Sequence, residues 1–502
     1  MNLVPELCYR ALLAHDRRFD GLFFVAVKTT RTYCRPVCTV KPPQFKNCTF
    51  YETAAACERD GYRPCLRCRP ELAPGNSTVD AKSRLVARAV LRIEEGALSS
   101  DSLESLSEEL GVTSRHLRRV FESELGVTPV QFVQTQRLLV AKRLLTDTTM
   151  PITQVALASG FASVRRFNAL FIERYHINPR TLRKSSLALA SVSNDTFNCQ
   201  LTFRPPYDWY GILSFLRARA CAGVEFVDDA KYMRTVAIDG VTGWLSVSLG
   251  GLPATLSVTM SSSLSPKFLQ VVARLQRLFD LHAQPDTIAK HLGALAQHNP
   301  GLRVPGAFDS FEVMVRAVLG QQVSVKAATN LAGRLAERYG KKIATQFEEL
   351  FLITPEANAL AQARVEDVQA LGIMPARAAT ILAVAKAFRS GGIQLQPGDD
   401  YEETVAKLVA LPGIGEWTAE YIAMRCLNWP DAFPHSDLGI KKYLGATSKK
   451  ELLARSEKYR PWRAYAAMHM WQSLSQPTAV RSANKGAPAS RRHRVAAQAA
   501  RA

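Results

Sequence analysis

Four cysteines near the start of the chain form two short knuckles, Cys34-Arg-Pro-Val-Cys38 and Cys65-Leu-Arg-Cys68. Two Cys-x2–3-Cys pairs offer four thiolates at the spacing of a tetrahedral Zn2+ site. Four thiolates and one Zn2+ sum to a charge of −2, so each sulfur keeps nucleophilic character even when coordinated. The frame has two readings, a structural clip, which is the commoner use of four-cysteine zinc, and a reactive centre. A phosphodiester is an anion and would be repelled. A methylated phosphotriester is neutral and carries an electrophilic methyl group that a thiolate can take. S-methylation would then remove one negative charge from a surface facing DNA, an effect of several kcal/mol at close range in a poorly screened site. The other six cysteines (Cys8, Cys48, Cys57, Cys199, Cys221 and Cys426) share no spacing and read as buried thiols.

A second place for chemistry is the turn Leu411-Pro412-Gly413-Ile414-Gly415, which joins helical patterns over 402–410 and 417–426. A Gly-rich turn between helices exposes backbone N–H groups that can grip a DNA phosphate, and its carbonyls can hold a monovalent or divalent cation. Alone, the pattern also fits an ordinary helix end. Asp437 follows 22 residues after Gly415, within Pro434-His435-Ser436-Asp437-Leu438-Gly439.

The elements that must position these residues fall into separate blocks. At 502 residues the chain is long enough for about three domains. A net charge of +20 makes a polyanion the expected partner, although charge alone would also suit a membrane surface or a ribosome. No run of 18 or more apolar residues is present, and the N-terminus lacks the basic and apolar regions of a signal peptide, so the chain reads as cytoplasmic with no membrane partner. A reducing compartment favours metal binding over disulfides for the cysteine frame.

The frame lies in 1–75, with strand propensity over 21–33. A polar linker with Pro74, Gly75, Asn76 and Ser77 leads to 80–184, which is helical in pattern, and a small-residue linker over 185–195 follows. Short β-like runs at 198–203, 234–238, 244–247 and 255–260 fill 196–265, and 266–475 is mostly helical. The last stretch, 476–502, carries Arg481, Lys485, Arg491, Arg492, Arg494 and Arg501 with no acidic residue, and reads as a disordered basic tail, either simply solvated or weakly drawn to phosphate. The expected fold class is multidomain α+β: a small α/β zinc domain, an all-α double helix-turn-helix domain, and an α+β helix-hairpin-helix domain led by an antiparallel β subdomain.

In the middle block an apolar helix ends at Gly111, Thr113 or Ser114 can cap a second helix, and Arg115, His116, Arg118 and Arg119 surround a stripe of Leu117, Val120 and Phe121. The layout repeats over 152–171, with Gly160, Ser163, Arg165, Arg166 and Asn168. Two such units suit successive major-groove turns, whereas one alone is usually a solvated basic face.

Three resemblances follow. Residues 23–38 (FFVAVKTTRTYCRPVC) and 61–68 (GYRPCLRC) resemble the N-terminal domain of the bacterial Ada adaptive-response regulators. The resemblance implies that Cys34 accepts a methyl from DNA methylphosphotriesters, that Cys38, Cys65 and Cys68 complete a Zn2+ site, and that Thr30, Arg63 and Arg67 lie near the phosphate. The helix-turn-helix doublet, with Arg137-Leu-Leu-Val-Ala141 between its units and Asn178-Pro-Arg-Thr-Leu-Arg183 after them, is similar to the AraC family. That similarity implies transcriptional activation with RNA polymerase as partner, and places Arg115, Arg118, Arg119, Arg165, Arg166 and Asn168 at double-stranded DNA. Ile177 replaces that family's usual small residue, which leaves the turn at His176 open.

From about 197 to 474 the chain resembles AlkA-type alkylbase glycosylases, through Pro205-Pro-Tyr-Asp-Trp209, Leu319-Gly-Gln-Gln-Val-Ser-Val325, Trp417-Thr-Ala-Glu-Tyr421 and Pro461-Trp-Arg-Ala-Tyr-Ala466. A helical hairpin followed by Asp437 is the signature of the helix-hairpin-helix superfamily. The implied chemistry is excision of 3-methyladenine- and 7-methylguanine-type bases from a flipped-out nucleotide, with Asp437 supplying negative charge to an oxocarbenium-like sugar. Trp417, Tyr421 and Trp462 would stack on the cationic base, and Gln321, Gln322, Gly413 and Gly415 would meet DNA. Trp417 stands where bifunctional relatives carry a Lys, which implies base excision without strand cleavage. Gln322 stands at the wedge position, usually Leu, so apolar stacking in the vacated gap is lost. No Pro-Cys-His-Arg-type motif is present, so direct O6-methylguanine repair is not expected. The alternative is a transcriptional regulator whose last third is an inactive DNA-holding scaffold.

Overall fold

The structure, a computed structural model, describes residues 3–75, 84–97, 102–186, 195–396, 399–446 and 448–475. The expected basic tail and most of both expected linkers lie outside the described residues. Among those described, no helix is long and apolar enough to cross a membrane.

The expected strand over 21–33 is a hairpin. Phe24–Val27 and Thr32–Cys34 pair antiparallel with Val27 opposite Thr32, because Arg31 takes a left-handed φ of 52° and reverses the chain. The sheet is completed by Cys48–Tyr51 on one side and Arg63–Pro64 on the other. Strand alternation sends Phe23 and Val25 toward Cys8, Ala11 and Leu12 of the helix Pro5–Leu13. Phe24 and Ala26 face Tyr33, Cys57 and Leu139 instead. Both faces of the strand are therefore covered, which is why its sequence is continuously apolar.

The middle block is helical throughout its described residues. Leu103–Glu109 and Ser114–Leu125 form the first helix-turn-helix unit, Ile152–Ala158 and Val164–Tyr175 the second, and the 19-residue helix Pro129–Asp147 joins them. Its start is fixed by a reciprocal cap in which Thr128 and Gln131 satisfy each other's backbone N–H. The turn at His176 resolves as a left-handed cap: φ is 54° and its N–H donates to Ile172 O at 2.9 Å.

Five antiparallel strands follow, in the order Thr196–Thr202, Thr255–Ser261, Val241–Leu249, Lys231–Ile238, Glu225–Val227. The four expected runs are present, and Glu225–Val227 is an additional short edge. Phe197, Cys199 and Leu201 alternate inward and join a core that also contains Leu138, Val155 and Phe167 of the second helix-turn-helix unit. The remaining helices enclose a separate core built around Ser310–Leu319, Pro375–Arg389 and Glu416–Cys426.

Buried polar contacts fix the first region to the rest. Glu58, on the helix Ala54–Arg59, accepts hydrogen bonds from Tyr33 (3.0 Å), Thr135 (3.0 Å) and Tyr175 (3.2 Å). Glu71 pairs with Lys142 at 2.6 Å, both side chains 1% exposed. Arg204, 1% exposed, donates to Asp20 O, Gly75 O and His282 O. Desolvation explains the partners: a charge so deep is tolerated only when its hydrogen-bonding capacity is used.

Candidate metal centre, DNA-reading helices and base cavity

Cys34 ends the strand Thr32–Cys34, and Cys65 follows the strand Arg63–Pro64, which pairs with it in parallel. Cys65 N–H donates to Tyr33 O at 3.0 Å, and Cys38 N–H closes a turn on Arg35 O at 3.1 Å. The two knuckles are thereby brought together, and all four sulfur atoms lie within 4.8 Å of one another. Four soft thiol donors with no carboxylate among them suit one Zn2+. Arg35 supports the cluster from the protein side. Its N–H lies 3.4 Å from Cys68 Sγ, its Nη1 donates to Cys68 O at 3.1 Å, and its guanidinium pairs with buried Asp20.

Cys34 and Cys38 are buried, 5% and 1% exposed, while Cys65 and Cys68 are half-buried. Accessibility by itself therefore ranks Cys65 and Cys68 ahead of Cys34. Thr30 is exposed and hydrogen-bonded to Thr32, which is the register partner of half-buried Arg63. Arg67 is exposed on the second knuckle.

On the first reading helix Thr113, rather than Ser114, is the cap, accepting from His116 N at 3.2 Å. Ser163 caps the second in the same way through Arg166 N. Arg115, Arg118, Arg119, Arg165 and Arg166 are all exposed, and Asn168 is half-buried. The apolar stripe turns the other way: Leu117, Phe121, Phe167 and Phe171 are completely buried.

In the last third, a cavity of about 480 Å3 is lined by Trp417, Tyr421, Trp471 and Asp437, among others. Trp417 and Tyr421 lie one helical turn apart on Glu416–Cys426 and stack at 5.3 Å with an interplanar angle of 7°. Asp437 caps the helix Leu438–Leu444, accepting from Gly439 N (2.8 Å) and Ile440 N (3.1 Å). Its carboxylate also accepts Trp471 Nε1 at 2.9 Å and Trp417 Nε1 at 3.2 Å. Two amides and two indoles thus hold one carboxylate at the cavity wall.

Trp462 is not among the cavity-lining residues. It follows the turn at Arg460-Pro461, is 7% exposed and packs edge-on against Tyr465 in the helical core. Trp471, on the same helix as Tyr465, supplies the third ring instead. Nothing in its spacing from Asp437 marks it; only its residue type could have. Arg425 also lines the cavity, four residues after Tyr421 on one helix face, a relation the sequence does show. Its Nη1 donates to the Tyr421 hydroxyl at 2.7 Å. Burial alone would raise the Tyr421 phenol, but the guanidinium groups of Arg425 and Arg219 outweigh it and hold the phenol below its ordinary value.

At the hairpin turn, Gly413 has φ 83°, and a Cβ there would come within 1.9 Å of Thr380 Oγ1, so glycine is required. Gly415 is the exposed cap of Glu416–Cys426. Gln321 Nε2 donates to Gly413 O (2.9 Å) and Thr418 Oγ1 (3.1 Å), so this side chain braces the turn. Gln322 is the exposed neighbour, in a left-handed conformation with φ 54°.

Four family models match the chain: the metal binding domain of Ada over residues 7–71, a helix-turn-helix domain over 106–185, the AlkA N-terminal domain over 198–309, and the HhH-GPD superfamily base excision DNA repair protein over 315–451. A relative from Mycobacterium tuberculosis, described as a probable bifunctional transcriptional activator/DNA repair enzyme AlkA, is 38% identical across 94% of this chain and 97% of its own length. DNA-3-methyladenine glycosylase 2 of Escherichia coli is 36% identical, covering 54% of this chain and 95% of that protein. The bifunctional transcriptional activator/DNA repair enzyme AdaA of Bacillus subtilis is 28% identical over 37% of this chain and 85% of its own length.

Proposed function

The chain belongs to the family of bifunctional transcriptional activator/DNA repair enzymes that join an Ada-type metal-binding domain and a helix-turn-helix domain to an AlkA-type helix-hairpin-helix glycosylase, and from that premise we propose how its sites work. It is a zinc-binding, DNA-binding regulator and a base excision repair glycosylase. The finer reading assigns 1–75 to methyl acceptance, 80–184 to promoter binding with recruitment of RNA polymerase, and 196–475 to base release, acting at the nucleoid in the cytoplasm.

The observation that carries the excision reading is Asp437, a carboxylate held by two indole N–H groups in an aromatic-walled cavity. An N3- or N7-alkylated purine carries positive charge and stacks favourably on Trp417 and Tyr421. As its glycosidic bond breaks, the bonding pair leaves with the base, and positive charge builds on the sugar. Asp437 stabilises that charge and orients the water whose oxygen bonds to C1′, releasing its proton to the carboxylate or to solvent. With Trp417 where a Schiff-base lysine would stand, the reaction stops at an abasic site.

At the other end, Cys34, Cys38, Cys65 and Cys68 would hold one Zn2+, which when bound keeps the sulfurs as thiolates at neutral pH. Cys34 Sγ attacks the methyl carbon of a neutral phosphotriester. The S–C bond forms, the C–O bond breaks, and the phosphodiester departs as an anion, so the cluster moves from −2 to −1. Repulsion from DNA falls, and the helix-turn-helix units beside it bind more tightly. On this reading Thr30, Arg63 and Arg67 would meet the phosphate. With Cys34 only 5% exposed, contact with DNA must displace part of the cluster's cover before transfer.

Two readouts test these roles. Wild-type protein should release 3-methyladenine and 7-methylguanine from methylated duplex DNA without nicking it; no release would leave 196–475 as a DNA-holding scaffold. Peptide mapping after the same exposure should find one methyl on Cys34. A methyl on Cys65 or Cys68 would move the acceptor role to the more exposed knuckle.

A further inference from the structure

Every second residue of the segment that delivers Asp437 is tied to the second helix of the hairpin, Glu416–Cys426. Phe433 N donates to Glu420 Oε2 at 3.0 Å, His435 Nε2 lies 3.1 Å from Glu416 Oε2, and Asp437 Oδ2 accepts Trp417 Nε1. Glu416 and Glu420 stand one turn apart on one face of that helix. Glu420 also accepts the Tyr401 hydroxyl at 2.6 Å, so the first helix of the hairpin, Tyr401–Val409, joins the same frame. Within the segment, Asp437 N donates to Pro434 O at 2.9 Å and His435 N to Phe433 O at 2.7 Å.

The middle tie reaches furthest along the hairpin. His435 is 6% exposed, and its ring is turned inward to Glu416. Lys449 Nζ takes the other Glu416 oxygen at 2.6 Å, and that bond holds the carboxyl below its ordinary value. An ionised carboxylate only accepts, so His435 Nε2 carries the proton of the shared bond. Glu416 is also the first residue after Gly415, at the helix start where the hairpin amides would meet a phosphate. One carboxylate therefore stands next to the expected phosphate grip and is bonded, through a buried imidazole, to the backbone just before Asp437.

We propose that His435 is a positioning residue for Asp437, and that its bond to Glu416 aligns the carboxylate with the phosphate held at the hairpin turn. This rests on the base-release reading and deepens it by naming what registers the two ends of the site. The indoles of Trp417 and Trp471 fix the carboxylate oxygens, whereas the backbone before Asp437 is a loop with no helix or strand to hold it. His435 ties that loop, two residues upstream, to the helix that begins at the turn. A reacting group misplaced by about 1 Å loses about a hundredfold in rate, so a tie of this kind acts on the chemical step and not on affinity.

The test uses the full chain and a duplex carrying 7-methylguanine, and reads the maximal single-turnover excision rate separately from the half-saturating protein concentration. His435→Leu should lower the maximal rate about tenfold, the scale of one lost hydrogen bond to a charged acceptor, and leave half-saturation within about twofold. His435→Gln keeps an N–H donor on a side chain of similar reach and should hold the rate within about threefold of wild type. Glu416→Ala should slow excision as His435→Leu does but lower the half-saturating concentration, because a like charge leaves the neighbourhood of the phosphate. The two changes together should cost no more than either alone. Since the Glu416 side chain is 53% exposed, its variant carries the prediction even where His435→Leu does not fold. Four results would overturn the proposal: an unchanged rate in His435→Leu, a His435→Gln equally slow, a half-saturation that rises in step with the lost rate, or a double variant that multiplies the two losses. A wild type that releases no base would instead remove the base-release reading beneath it.

Discussion

The metal centre and the base cavity solve opposite problems. The metal centre gathers four identical, chemically reactive atoms from two knuckles and, on the proposed reading, consumes one of them. The cavity gathers unlike residues, two of its rings on Glu416–Cys426, a third on the helix Arg463–Ser475 and a carboxylate between them, and consumes none. In the first, reactivity belongs to the atoms, and the fold only assembles them. In the second, reactivity belongs to the arrangement, because a carboxylate is ordinary until indoles and a helix start hold it against a cavity. The two regions should therefore fail differently when disturbed.

The largest contrast is expected from Cys38→Ala or from chelation. A structural four-thiolate site contributes most of the folding energy of a small domain. Methyl uptake should disappear and hydrogen exchange over 3–75 should rise sharply, while base release stays within about twofold of wild type. Base release that falls in parallel would show that the two regions form one functional unit.

Next in size is Trp471→Phe. It keeps a ring but removes the N–H on Asp437 Oδ1, and single-turnover excision should fall about tenfold, the scale of a lost charge-assisted hydrogen bond. Trp462→Phe, outside the cavity, should alter thermal stability by about 1 kcal/mol and leave excision alone. The reverse ranking would return Trp462 to the base site.

The smallest effect concerns Glu58, which clasps the metal-centre region to the helix-turn-helix helices through Thr135 and Tyr175. Burial pushes Glu58 up to about 7, against the opposing influence of the Thr135 and Tyr33 hydroxyls, Arg174 and the Tyr175 hydroxyl. A carboxyl raised in the folded state favours its protonated form there. Its stabilising share is therefore present below the ordinary value of about 4.5 and is lost as pH rises through 7. Between about pH 6 and pH 8.5 the loss should be about 1–2 kcal/mol, read as a falling unfolding midpoint. Glu58→Gln should flatten that dependence; an unchanged slope would place the titration elsewhere.

What was legible in the sequence follows the same division. The cysteine frame could be read because metal geometry imposes short spacings, and the reading helices because Gly111, Thr113, Gly160 and Ser163 punctuate an apolar period. The hairpin and Asp437 were legible through Gly413 and Gly415. The third cavity ring was not. Trp462 and Trp471 are alike in type and both lie near the end of the chain, and only packing against Tyr465 or against Asp437 separates them. The hairpin within 21–33 was missed because a left-handed arginine, not a glycine, makes the turn.

The central claim is that one chain carries two separable chemistries, a consumed thiolate and a retained carboxylate. The most direct measurement exposes wild type, Cys34→Ala and Asp437→Asn to the same methylated duplex and follows the methyl on the protein and the free base in solution together. Cys34→Ala should lose the methyl and keep base release, while Asp437→Asn should lose base release by at least about a hundredfold and still take one methyl. Loss of both signals in either variant, with the protein folded, would contradict it.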